Sequence, residues 1–210
     1  MALAFNLNSS GDIAMPTKFT RAAGTSALIA SGLWITAAIV GLWGQFDMTE
    51  AWSDERLPAI AAIIIAALLC TLFAIAGTLT RTGGSRDPLA SSALVLAGIS
   101  VLATSAMPWG WMFAALPLAV AALLVALRLR AHGLGAPAHW LLVAAWPLGT
   151  ATLVLMEALR VGPQDSYGDY PAAWHTGFSL AAAVFAFGLV VVGRWLHSEN
   201  PAVVPGGALA

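Results

Sequence analysis

Six apolar runs, separated by short polar breaks, leave this chain few folds to choose from. They cover about residues 25–44, 57–79, 88–107, 110–128, 138–160 and 171–195. A helix needs about 20 apolar residues to cross the hydrocarbon core of a bilayer. Only a helix or a closed barrel satisfies its own backbone N–H and C=O groups there. The pattern therefore predicts an all-α polytopic membrane protein, a bundle of six transmembrane helices. Charge supports this: 9% of residues are Asp, Glu, Lys or Arg, against about 25% in a typical soluble domain.

Proline punctuates the pattern. Pro58, Pro88 and Pro171 stand at run starts, and Pro137 lies just ahead of the fifth run. Proline suits a first helical turn, where its missing N–H leaves no bond unmade. The third and fourth runs together are too long for one crossing, so a tight hairpin is expected at Met107-Pro108-Trp109-Gly110. In the fifth run Pro147 frees the carbonyl of Val143 and predicts a kink. The domain reading is an N-terminal segment over 1–24, a six-helix domain over 25–197 and a loose tail over 198–210 with Pro201 and Pro205. Met15 is an alternative start, and the first run reads as a retained span rather than a cleaved signal, for want of a small-x-small cleavage site.

An even number of spans puts both termini on one side, and basic residues say which. Lys18, Arg21, Arg81, Arg86, Arg128, Arg130 and Arg194 fall on the side of the termini, and Arg56 and Arg160 on the other. The positive-inside rule makes the terminal side cytoplasmic. The expected location is the plasma membrane, multi-pass, with N- and C-termini in the cytoplasm. Trp43, Trp52, Trp109, Trp111 and Trp174 gather at the outer boundary and Trp140 and Trp195 at the inner one, as amphipathic indoles prefer.

Small residues recur at helical spacing. The stripes are Gly24, Ala27, Ser31, Ala38 and Gly41; then Ala67, Thr71, Ala74 and Thr78; then Ala93, Ala97, Ser100 and Thr104; and Gly110, Ala114, Pro117 and Ala121. In the sixth run His175 leads into Ser179, Ala182 and Ala186. Such stripes let helices approach closely where lipid removes the hydrophobic drive between them. They serve internal packing, a membrane-protein partner or a homo-oligomer. Cys70, the one cysteine, sits inside a run and reads as a small core residue.

Chemistry concentrates between Glu157 and His175. Glu157 closes the fifth run and His175 opens the sixth, with Asp165, Tyr167, Asp169 and Tyr170 between them. Adjacent helices could bring Glu157 and His175 to one outer pocket, with Thr150 and Ser179 below on the same faces, as a proton- or cation-binding site. Arg160, three residues from Glu157, competes for its carboxylate at headgroup level. Asp165, Asp169 and His175 match no standard metal spacing, so no metal is expected. His132, His139 and His197 fall near the inner surface and read as surface histidines rather than haem ligands, so no cofactor is expected. The acidic stretch 47–56 reads as a solvated loop. No Walker loop, H-E-x-x-H, G-x-S-x-G or C-x-x-C occurs, and no basic, aromatic-interleaved patch suggests nucleic acid. The expected function is a small transporter or transporter subunit with an outward polar pocket between the fifth and sixth helices. The alternatives are an assembly partner of another membrane protein and a membrane-embedded enzyme using Glu157 and His175 as an acid–base pair.

Overall fold

Helix follows helix in the order α1 (Lys18–Trp43), α2 (Leu57–Arg81), α3 (Pro88–Ala106), α4 (Gly110–Ala131), α5 (Ala136–Ala158) and α6 (Pro171–His197). The computed structural model describes residues 18–43, 57–83, 87–106, 110–132, 136–161 and 171–198. Five of these helices are long and apolar enough to cross a membrane. The sixth, α3, is the shortest, at 19 residues. The chain is thus an all-helical protein of multi-pass membrane character.

The helix limits follow the apolar runs closely, with one difference. Helix α1 begins at Lys18 rather than near residue 25. Its added turns are held by packing: Thr20 and Ala23 are buried, Ala23 lies against Gly77 of α2, and Gly24 lies against His197 of α6.

Neighbours in sequence pack as neighbours in space, and α6 closes the ring against α1. The α1–α6, α5–α6 and α1–α2 seams are extensive, while α4–α5 and α2–α3 are slimmer. Helix α2 is also drawn inward, touching α4 and α6. Helix α6 therefore works with two small faces. Gly177, Ala181 and Gly188 meet α5 at Gly149 and Leu142, while Ser179 and Gly193 meet α1 at Gly41 and Gly24. Every stripe residue whose side chain is described is buried, save half-buried Pro117. Lipid tails are as apolar as leucine, so close contact, dispersion and hydrogen bonds must hold such helices together.

Hydrogen bonds between helices fall where that argument wants them. Ser26 donates to the carbonyl of Cys70 at 3.0 Å, joining α1 to α2. The Trp34 indole donates to Thr71 Oγ1 at 3.2 Å, and Thr71 donates to Ala67 at 2.7 Å. Ser100 of α3 reaches the carbonyl of Ala114 at 3.0 Å, beside the break that Pro117 makes in α4. Four rings, from Trp34, Trp146, Phe178 and Phe185, meet in the core with centroids 5.8–6.5 Å apart.

The end of the bundle where α1 starts and α6 finishes is tied by arginines. Arg81 is buried; it donates to the carbonyls of Trp195 and, at 2.8 Å, Ser198, and its guanidinium lies 4.5 Å from the Trp195 ring centroid. It thereby caps the last turn of α6, whose final carbonyls have no helical partner. Arg128 at the end of α4 pairs with Asp87 at 3.3 Å and donates to the Thr82 carbonyl at 2.8 Å. Asp87 also starts α3, directly ahead of Pro88 in its first turn.

Candidate functional site

The opposite half of the bundle is less tightly closed. Helix α5 bears Pro147, which cannot donate a backbone bond and loosens the ladder around it. Two residues later Gly149 crosses Gly177 of α6. The α4–α5 seam is slimmer than the α5–α6 seam, and a cleft lies between α4, α5 and α6.

The cleft has two parts. A groove of about 860 Å³ runs along the α4–α5 seam, past Leu116 and Ala119 on one side and Pro147, Ala151, Val154 and Leu155 on the other. Leu116 is 74% exposed and Val154 and Leu155 are also exposed, so this groove opens on the outside of the bundle. A chamber of about 240 Å³ lies deeper toward α6, bounded by Gly149, Leu153, Trp174, Gly177, Phe178 and Ala181. Ala115, Trp146 and Thr150 line both parts. The groove alone is in the size range of sites for small organic ligands, about 300–1,000 Å³.

Two polar groups stand on this shared wall, four residues apart on α5 and so on one face. The Trp146 side chain is 9% exposed, and its indole N–H is buried without an acceptor. The Thr150 side chain is exposed, and its hydroxyl makes no bond among the described residues. That is unusual here: Thr25, Thr36, Thr71, Thr78, Thr80, Thr82, Thr104 and Thr152 all donate to the carbonyl four residues back. An indole N–H is a donor only, and a hydroxyl donates or accepts. The wall thus presents one hydroxyl, that of Thr150, in an apolar setting, with the Trp146 indole N–H sealed behind it.

The residues singled out in the sequence are spread over different seams. Thr150 is in the cleft. Glu157 continues the stripe of Gly149 and Leu153 one turn nearer the end of α5, and its Oε1 is buried without a partner among the described residues. His175 and Ser179 are buried on the other side of α6, where a methyl group at Gly41 of α1 would come 2.6 Å from Ser179 Oγ and 3.9 Å from the His175 carbonyl. Arg160 is exposed and takes a left-handed backbone (φ 53°). It ends α5: its N–H bonds to the Glu157 carbonyl at 3.1 Å and the next N–H, of Val161, to Met156 at 3.0 Å, a Schellman pattern. Asp165, Asp169, Tyr167, Tyr170 and the stretch 47–56 lie outside the described residues.

Of the three histidines near the end carrying the termini, two are hydrogen-bonded and His139 Nδ1 is buried without a partner among the described residues. His132 Nδ1 bonds to the Arg128 carbonyl at 2.9 Å, His139 packs on Trp140 with centroids 5.3 Å apart, and His197 bonds to the Gly193 carbonyl at 2.8 Å and to Thr25 at 3.2 Å. Among the described residues no three His, Cys, Asp or Glu side chains come together as a metal site would need.

Sequence reasoning passed over Trp146, Gly149 and Gly177. A signal for the first was present. Tryptophan prefers the membrane boundary, yet Trp34 and Trp146 fall in the middle of apolar runs, where a buried ring with a polar atom calls for a partner. No protein-family model, curated protein or solved structure matches the chain.

Proposed function

We propose that this chain is a plasma-membrane protein with cytoplasmic termini that takes an apolar or amphiphilic molecule from the bilayer into the α4–α5–α6 cleft, as a small transporter or transporter subunit. The observation that carries this reading is the cleft itself: an apolar groove on the outer surface leading to a chamber with which it shares Ala115, Trp146 and Thr150. A hydrated ion would find few polar groups there, whereas an amphiphile would exchange lipid for protein at little desolvation cost.

The orientation rests on charge. Lys18, Arg21, Arg81, Arg128, Arg130 and Arg194 belong to the end carrying the termini, which the positive-inside rule assigns to the cytoplasm. The cleft then opens toward the outer leaflet. The assembly alternative is weakened because the small-residue stripes that would dock a partner are used inside the chain. The enzyme alternative is weakened because Glu157 and His175 sit on different seams of α6.

Native mass spectrometry of protein extracted from its own membrane tests the reading. The wild type should retain an amphiphile through delipidation, and Ala115→Trp, which fills the shared wall, should lose it. A wild type that retains nothing, or a filled variant that retains as much, overturns it.

A further inference from the structure

Away from the cleft, the end of the bundle carrying the termini holds a feature whose chemistry names a partner. Lys18 and Arg21 on α1, Arg130 on α4 and Arg194 on α6 are all exposed there, with exposed His197 beside them. Among the described residues that end has a single carboxylate, Asp87, and it pairs with Arg128. At the α1–α6 seam the positive charge is organised. A methyl group on Gly24 would lie 2.5 Å from His197 Nδ1, so the imidazole packs directly on the α1 backbone. Its Nδ1–H donates to the Gly193 carbonyl at 2.8 Å, which turns Nε2 to the Thr25 hydroxyl at 3.2 Å. Arg194 lies three residues before His197 on the exposed side of α6, and its guanidinium meets no carboxylate among the described residues. Exposed Thr25, Ile29, Gly32 and Thr36 carry one face of α1 from this corner into the apolar span. Gly32 leaves a notch in that face, two turns beyond Thr25: an added methyl would meet nothing within 4 Å.

We propose that this corner seats an anionic phospholipid from the leaflet on the side of the termini. Its phosphate lies against Arg194 and His197, and an acyl chain runs along Ile29 and Gly32. The proposal does not depend on what occupies the α4–α5–α6 cleft. A guanidinium presents a fork of N–H donors that matches phosphate oxygens. Arg194 stands one turn inside the end of α6, a depth from which a long side chain reaches headgroup level. A charged group on a lipid-facing helix is costly, and a phosphate anchored in the same bilayer offsets that cost. The seat continues into the apolar face of α1, which favours a lipid over a dissolved phosphate. The described carboxylate of this end is already paired, so a zwitterionic headgroup finds no partner for its cation, whereas a net negative one needs none.

The test places the full chain in nanodiscs of equimolar phosphatidylglycerol and phosphatidylcholine and reads the lipids it retains by native mass spectrometry. Wild type should retain phosphatidylglycerol in preference to phosphatidylcholine. Arg194→Gln should lower that preference roughly fivefold, the usual worth of one basic residue near anionic lipid, and Arg194→Lys should keep most of it. Arg130→Gln removes the same charge from the same end, but on α4, which packs on α3 and α5 rather than at the α1–α6 seam; it should keep the wild-type preference. Inorganic phosphate should leave the bound lipid in place. No preference in the wild type, or an equal loss in Arg194→Gln and Arg130→Gln, overturns the seat and leaves only diffuse attraction between charges. Displacement of the lipid by inorganic phosphate overturns the assignment of a lipid and makes the occupant a dissolved anion.

Discussion

Gly149 and Gly177 meet backbone to backbone where α5 crosses α6: a methyl group on Gly177 would lie 2.6 Å from the carbonyl oxygen of Gly149. Both glycines border the chamber, and Pro147 is one turn's fraction away. The crossing fixes how far α5 can stand from α6, and so how wide the cleft opens.

Gly177→Ala should therefore lower stability by roughly 1–3 kcal/mol, the usual range for forcing atoms into a packed contact. Gly41→Leu should act likewise against Ser179 on the α1 seam. Gly98→Ala is the counterpart, since nothing lies within 4 Å of its added methyl; it should gain about 0.5–1 kcal/mol by stiffening a helix. Thermal melts in one detergent decide this. Equal melting for Gly177→Ala and Gly98→Ala would mean the crossing is not tight.

Arg81 supplies a second prediction. Lysine keeps the charge but cannot span two carbonyls and lie over an indole at once. Arg81→Lys should cost about 1.5–3 kcal/mol, the range for charged hydrogen bonds, and should speed proteolysis at the last turn of α6. Unchanged melting and proteolysis would show that the cap is dispensable.

Much of the fold was legible because crossing a bilayer demands length and apolarity, which a sequence displays directly. The small stripes were legible because helical period is local. The first turns of α1 were not, since Lys18 and Arg21 interrupt the apolar pattern and their helix is held by Gly77 and His197 from far along the chain. The site was legible only in part. Sequence order brings α5 beside α6, but the rotation of each helix decides which residues share a seam. Thus His175 and Ser179 share the seam with α1, while Gly177 takes the seam with α5. The cleft lies along the slim α4–α5 seam, and sparse packing leaves no periodic mark.

Arg160 yields the third prediction. Its left-handed backbone is one that glycine adopts freely and side-chain-bearing residues adopt at about 1–2 kcal/mol. Arg160→Gly should raise stability by roughly 0.5–1 kcal/mol after the greater freedom of glycine in the unfolded chain is deducted. A lowered melting temperature would show that the arginine side chain outweighs its backbone.

Glu157 gives the fourth. A buried acceptor with no partner costs about 1–3 kcal/mol, so Glu157→Leu should be neutral or stabilising in melts if the residue is only structural. Glu157→Gln should leave the fold intact. Loss of amphiphile retention in Glu157→Gln, with melting preserved, would give the carboxylate a part in function.

Topology is the fifth. A reporter fused after Glu199 should be active only in the cytoplasm, and a tag within residues 47–55 should be reached by impermeant reagents on intact cells. A shielded tag together with a labelled tail would invert the orientation, and with it the leaflet on which the cleft opens.

The helix that holds both α1 and α5 is the last of the six to be synthesised. Arg81 waits 114 residues for the carbonyl of Trp195. Until α6 leaves the ribosome, the small faces of α1 and α5 have no cover and α2 has no cap to give. The ring cannot close without α6, so a chain halted before Pro171 leaves bare the small faces of α1 and α5 that α6 covers.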